Sequence, residues 1–153
     1  MLALRFTPEK QASQANLGFT VAGFNLGYVF HDLLMGEWFH AREPFAREHF
    51  DVALIALAFA VYSVVLAHLF PIYRRHFSHR PAWQVGLGFG WMMGVMFDAL
   101  QGGIIEIATF QMPLEVFFVD SGYHVFVEGS LAGLILAAVQ GRASLADAAA
   151  PSR

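Results

Sequence analysis

The chain has 153 residues, a hydrophobic fraction of 57%, a mean hydropathy of +0.52 and only 14% charged residues: one compact unit, too apolar for an ordinary soluble domain. A net charge of −3 offers no basic face for phosphates, so nucleic-acid binding is not expected. The absence of cysteine excludes disulfides, thiolate metal sites and cysteine nucleophiles.

Residues 1–16 read as a polar N-terminal lead, and a removable signal peptide is not expected because no apolar run ends in a small-residue cleavage site. Leu17–Met35 is long enough to cross a hydrocarbon layer of ~30 Å and is expected as the first span. Within it Gly23, Gly27 and His31 recur every fourth residue, a small-residue groove that ends in a histidine, with Asp32 next. Gly36–Asp51 mixes charge with Trp38, Phe39 and Phe45, as in a loop at headgroup level.

Val52–Phe70 lacks Asp, Glu, Lys and Arg and is expected as the second span, with Pro71 stopping or kinking the helix before a basic turn. The third span starts near Trp83. Its glycines Gly86, Gly90 and Gly94 again fall four apart, each costing ~1 kcal/mol relative to Ala in a soluble helix, whereas in lipid they permit close backbone packing. Asp98, Gly102 and Glu106 continue that row, and Gln111-Met112-Pro113 marks a turn. The fourth span, about Leu114–Val139, carries Gly129 and Gly133 roughly opposite a stripe formed by Asp120, His124 and Glu128. At this spacing the stripe is about 80° wide on an α-helix. Residues 17–140 thus form the membrane domain, and residues 141–153, rich in Ala, Ser and Pro, read as a disordered tail.

The expected fold class is all-α, a four-helix transmembrane bundle in the bacterial inner membrane. Seven of the nine Lys and Arg residues fall on the side that holds both termini and the 71–82 turn, so both termini are expected in the cytoplasm. The competing reading is a soluble bundle of unusually apolar helices, which the uncharged runs disfavour.

The ionisable set is His31, Asp32, Asp98, Glu106, Asp120, His124 and Glu128. A carboxylate at the centre of a membrane helix costs roughly 2.5–3.5 kcal/mol, so these groups must face inward, be protonated, or pair with histidine or a cation. Histidine with carboxylate is a ligand set for a divalent metal such as Zn²⁺, Mn²⁺ or Fe²⁺, and equally a route for protons. The bland alternative is that these side chains only fix how the helices pack. Sharper chemistries fit less well. A di-iron centre needs Glu-x-x-His motifs, which are absent; a bis-histidine haem would have to use His31 with His124; and Ser121 with His124 and Asp120 lies on one helix, which does not suit a triad. An accessory subunit docked through its glycine faces, a homo-oligomer, or a membrane enzyme acting on lipid or quinone are the remaining roles.

Phe30-His31 with Trp38, Tyr73-Arg74-Arg75, Phe97-Asp98, Pro113, Val119-Asp120 and Gly129 together resemble a group of small, uncharacterised four-span bacterial inner-membrane proteins, over residues 17–140. The acidic outer loop, His124 and Glu128 depart from that pattern. The resemblance implies a four-helix integral membrane protein and leaves its activity open.

Overall fold

The computed structural model describes residues 8–42, 51–110 and 112–148. Within them the chain forms four long helices and one short one, with no strand. We label them α1 (8–34), α2 (Gly36–His40), α3 (Val52–His76), α4 (82–110) and α5 (114–148). Three of the long helices widen into π-type stretches, at Val29–Leu34 in α1, Val95–Gly103 in α4 and His124–Glu128 in α5.

The boundaries differ from expectation at both ends. Helix α1 starts at Pro8, because proline lacks the N–H that a first helical residue leaves unpaired and its φ is already helical. Residues 8–16 therefore belong to the helix, and Ala15 is fully buried. At the other end α5 runs past Gly141 to Ala148, since Arg142–Ala148 is mostly Ala, Leu and Arg with no proline. The expected lead before residue 8 and tail after residue 148 lie outside the described residues, as does much of the loop after Arg42.

Pro71 does not stop α3, which continues for more than a turn to His76. A proline inside a helix leaves the carbonyl four residues back without its donor. That carbonyl is Ala67 O, and Gln140 Nε2 of α5 donates to it at 3.2 Å. The basic turn that follows is closed by Arg74, whose Nη1 donates to Phe77 O and Arg80 O at 3.0 and 2.9 Å. At its other end α3 is capped by Asp51, which accepts from Leu54 N at 3.0 Å.

Glycines decide how α4 and α5 meet. A Cβ on Gly86 would strike Gly133 O, one on Gly90 would strike Gly129 O, and one on Gly94 would come to 2.8 Å from Val125 Cα. Each paired position moves forward on one helix as it moves back on the other, so the helices run antiparallel with their backbones in contact. Helix α1 lies antiparallel to α3 through Gly23, which is covered by Phe59, and through the Thr20–Ser63 hydrogen bond of 2.9 Å. Ser63 also donates to Asn16 Oδ1, so a short polar contact, not visible as a motif in the sequence, joins the two helices in the core. The apolar centre is built from Phe19, Leu66, Phe70, Phe89 and Leu136.

Among the described residues two helices, Val52–His76 and Leu114–Gln140, are long and apolar enough to cross a membrane, with mean hydropathy 2.4 and 1.5, so two of the four expected spans meet that measure. Only 17% of the α3 window is buried, so Leu54, Leu57, Val61 and Leu69 face outward.

Two predictions follow from this packing. Gln140→Leu should lower stability by about 1 kcal/mol, and Pro71→Ala, which returns an N–H to Ala67 O, should cancel most of that loss in the double variant. Melting curves of the four proteins in detergent test this; simple additivity would disprove the compensation. Gly90→Leu, which drives a side chain into the α5 backbone, should abolish the monodisperse folded species seen by size exclusion.

Candidate metal centre

The π stretches gather the ionisable side chains. A π turn needs an extra residue to come round, so residues four apart fall just short of a full turn instead of overshooting it as in an α-helix. In α5 the change from α to π between Tyr123 and His124 therefore keeps Asp120, His124 and Glu128 close to one line. His31 and Asp32 lie in the π stretch of α1 and Asp98 in that of α4, so five of the seven candidate residues occupy widened helix.

Asp120 Oδ1 sits between two imidazoles, 2.7 Å from His31 Nε2 and 3.5 Å from His124 Nε2. The other nitrogen of each ring is already engaged. His31 Nδ1 donates to Gly27 O at 3.1 Å, and His124 Nδ1 donates to Glu128 Oε2 at 2.8 Å. Carbonyl and carboxylate oxygens only accept, so a ring protonated on both nitrogens donates on both sides, whereas a ring protonated on Nδ1 alone turns its Nε2 lone pair toward Asp120. Both Nε2 atoms converge with Asp120 Oδ1, three potential ligand atoms within 4.8 Å of one another. Protons on the rings or a bound metal ion would each hold the three together.

The surroundings hold this geometry. The His31 ring lies face to face with His124 at 5.3 Å and with Phe39 at 5.2 Å. Phe30 stacks on Tyr123 at 3.9 Å, tying α1 to α5 beside the pair. Glu128 is 6% exposed, and its Oε1 makes no hydrogen bond where it faces Gly27. Asp98 approaches His124 Nδ1 from α4 at 4.0 Å. Asp32 and Glu106 lie on the wall of a cavity of about 400 Å³ that opens onto His31, Asp120, His124 and Glu128. Among the described residues neither forms an ion pair with the histidines. Arg42 bonds Glu115 at 2.6 Å and lies over the Trp38 ring.

The candidate residues thus divide. His31, Asp120, His124 and Glu128 form one bonded cluster, Asp98 borders it, and Asp32 and Glu106 face the same space. His68 stays outside, donating to Val64 O within its own helix. The face-to-face stacking of His31 and His124 leaves no slot for a haem, whose axial imidazoles point at each other across the macrocycle. Ser121 is aimed at Gly103 of α4 rather than at His124. Phe30, Phe39, Phe59 and Tyr123, which orient or cover the cluster, carry no periodic signal that separates them from other core aromatics.

The glycine rows serve packing inside the chain. Gly86, Gly90, Gly94, Gly129 and Gly133 contact one another's helices, while Gly23 and Gly27 receive Phe59 and Glu128.

No family model, curated protein or solved structure matches this chain.

Because Asp120 joins α5 to α1 through His31, Asp120→Ala should destabilise the protein by about 1–3 kcal/mol, whereas Asp98→Ala, whose contact is longer, should cost less. Removing His31 as well as Asp120 should add little, and a double-mutant cycle in detergent measures that coupling.

Proposed function

We propose that this chain is a four-span bacterial inner-membrane protein, both termini cytoplasmic, that binds a divalent metal ion through His31, Asp120 and His124. One observation carries the metal reading: both Nδ1 atoms have acceptors and both Nε2 atoms face the same carboxylate oxygen, with the three groups' ligand atoms within 4.8 Å of one another. Metal-binding histidines are usually oriented in this way by a carbonyl or carboxylate on the far nitrogen. Two histidines and one carboxylate suit Zn²⁺ or Fe²⁺, with Mn²⁺ less well served, and leave coordination positions facing the cavity. With bonds of about 2.0–2.2 Å, one ion reaches all three atoms after small side-chain rotations.

The membrane reading rests on the outward apolar faces of α3 and α5 together with the uncharged run of α1 and the glycine contacts of α4. It also accounts for the placement of Asp120 and Glu128 against α1, since a lipid-facing carboxylate on α5 would oppose insertion, whereas Glu106 of α4 is exposed. An accessory role through the glycine faces is less well supported, because those glycines are already in contact within the chain.

Protein purified in detergent and incubated with Zn²⁺ or Fe²⁺ should retain about one ion per chain by elemental analysis. Asp120→Asn and His124→Ala should lose it, while the surface variant Glu115→Gln should keep it. Equal metal in all four proteins, or none in any, would overturn the proposal. For topology, a fluorescent protein fused to the C-terminus should light up in cells and alkaline phosphatase at the same position should be inactive; the reverse would refute a cytoplasmic C-terminus.

A further inference from the structure

The cavity beside the cluster has two kinds of wall. Asp32, Glu106, Asp120 and Glu128 supply carboxylates around the histidines, whereas Phe24, Phe59, Val52 and Ile55 make the side between α1 and α3 apolar. Tyr28, Val52 and Ile55 line it and are 51%, 59% and 37% exposed, so they form its mouth. Exposed Glu106 lines the cavity too, so the mouth joins an apolar edge at Val52 and Ile55 to a polar one. A volume of about 400 Å³ is at the small end for a ligand pocket. It accommodates a ring or head group with the start of a chain, and a longer chain has to leave past the apolar rim.

Charge selects the head group. Four carboxylates line the cavity, and one divalent ion carries only half their formal charge. A phosphate or fatty-acid carboxylate would add to the excess of negative charge at close range. A neutral head with an oxygen donor avoids that repulsion and still coordinates a metal. We infer that this cavity binds a neutral amphiphile, its carbonyl or hydroxyl oxygen on the ion held by His31, Asp120 and His124 and its chain passing out between α1 and α3 into the bilayer. This rests on the metal reading for the head-group contact. The ligand chemistry is shared by quinones and long-chain alcohols.

The test uses the full chain in lipid nanodiscs loaded with Co²⁺, whose visible bands report a new oxygen ligand. Elemental analysis of the same sample gives metal content. A short-chain quinone, 1-decanol and decanoate are then titrated. Either neutral compound should shift the Co²⁺ bands saturably and decanoate should not; which neutral compound acts distinguishes a quinone from an alcohol. Ile55→Trp, which fills the mouth at an exposed position, should weaken the response about tenfold with Co²⁺ content unchanged. Retained Co²⁺ whose spectrum neither neutral compound moves would overturn the inference alone, as would preference for decanoate or an unaltered response in Ile55→Trp. Failure of the wild-type protein to hold Co²⁺ would instead overturn the metal reading, and the head-group contact with it.

Discussion

Backbone contact between α4 and α5 is the constraint on which the rest of the arrangement depends. Where Gly86 and Gly90 meet Gly133 and Gly129, no Cβ fits between the helices, so the two axes are held as close as peptide groups allow. With these helices fixed, Gly94 rests on Val125 and the π stretches of both come together, which brings Asp98 to His124. The remaining faces of α5 are then free to meet α1. That is where Asp120 reaches His31 and Glu128 reaches Gly27. Small residues on one side of α5 and ionisable residues on the other thus have separate partners.

The same economy governs polar groups inside an apolar molecule. Each buried donor or acceptor that lacks water must find a partner in the chain. Pro71 frees Ala67 O, and Gln140 takes it up. Ser63 is met by Thr20, Asn16 and its own helix. At the cluster Asp120 and Glu128 are held by the rings of His31 and His124, while Glu128 Oε1 makes no hydrogen bond.

Local helical wideness links the two themes. π-type turns strain the regular hydrogen-bond ladder and concentrate at functional positions. Here they lie in the segments that carry His31, Asp98 and His124, and the helices elsewhere are α. A π stretch re-aims the side chains it carries, and here those include three that meet at the cluster.

What the amino-acid sequence determined by itself is what depends on neighbours along the chain. The helical segments, the glycine spacing and the ionisable stripe of Asp120, His124 and Glu128 are all periodicities, and their helical character follows from them without reference to any other segment. Even so, the first helix begins at Pro8 and not near residue 17, and Pro71, expected to stop or kink its helix, lies inside one where a distant glutamine takes up the freed carbonyl. The tertiary structure alone decided which residues meet: Phe59 in the Gly23 groove, Gly133 on Gly86, and Asp120 between two rings. The widening of α5 at His124 also lay beyond sequence patterns. The reason is physical: a contact between helices depends on their relative rotation and depth, and a shift of one residue, such as a π turn introduces, changes the facing set while leaving the apolar pattern almost unaltered.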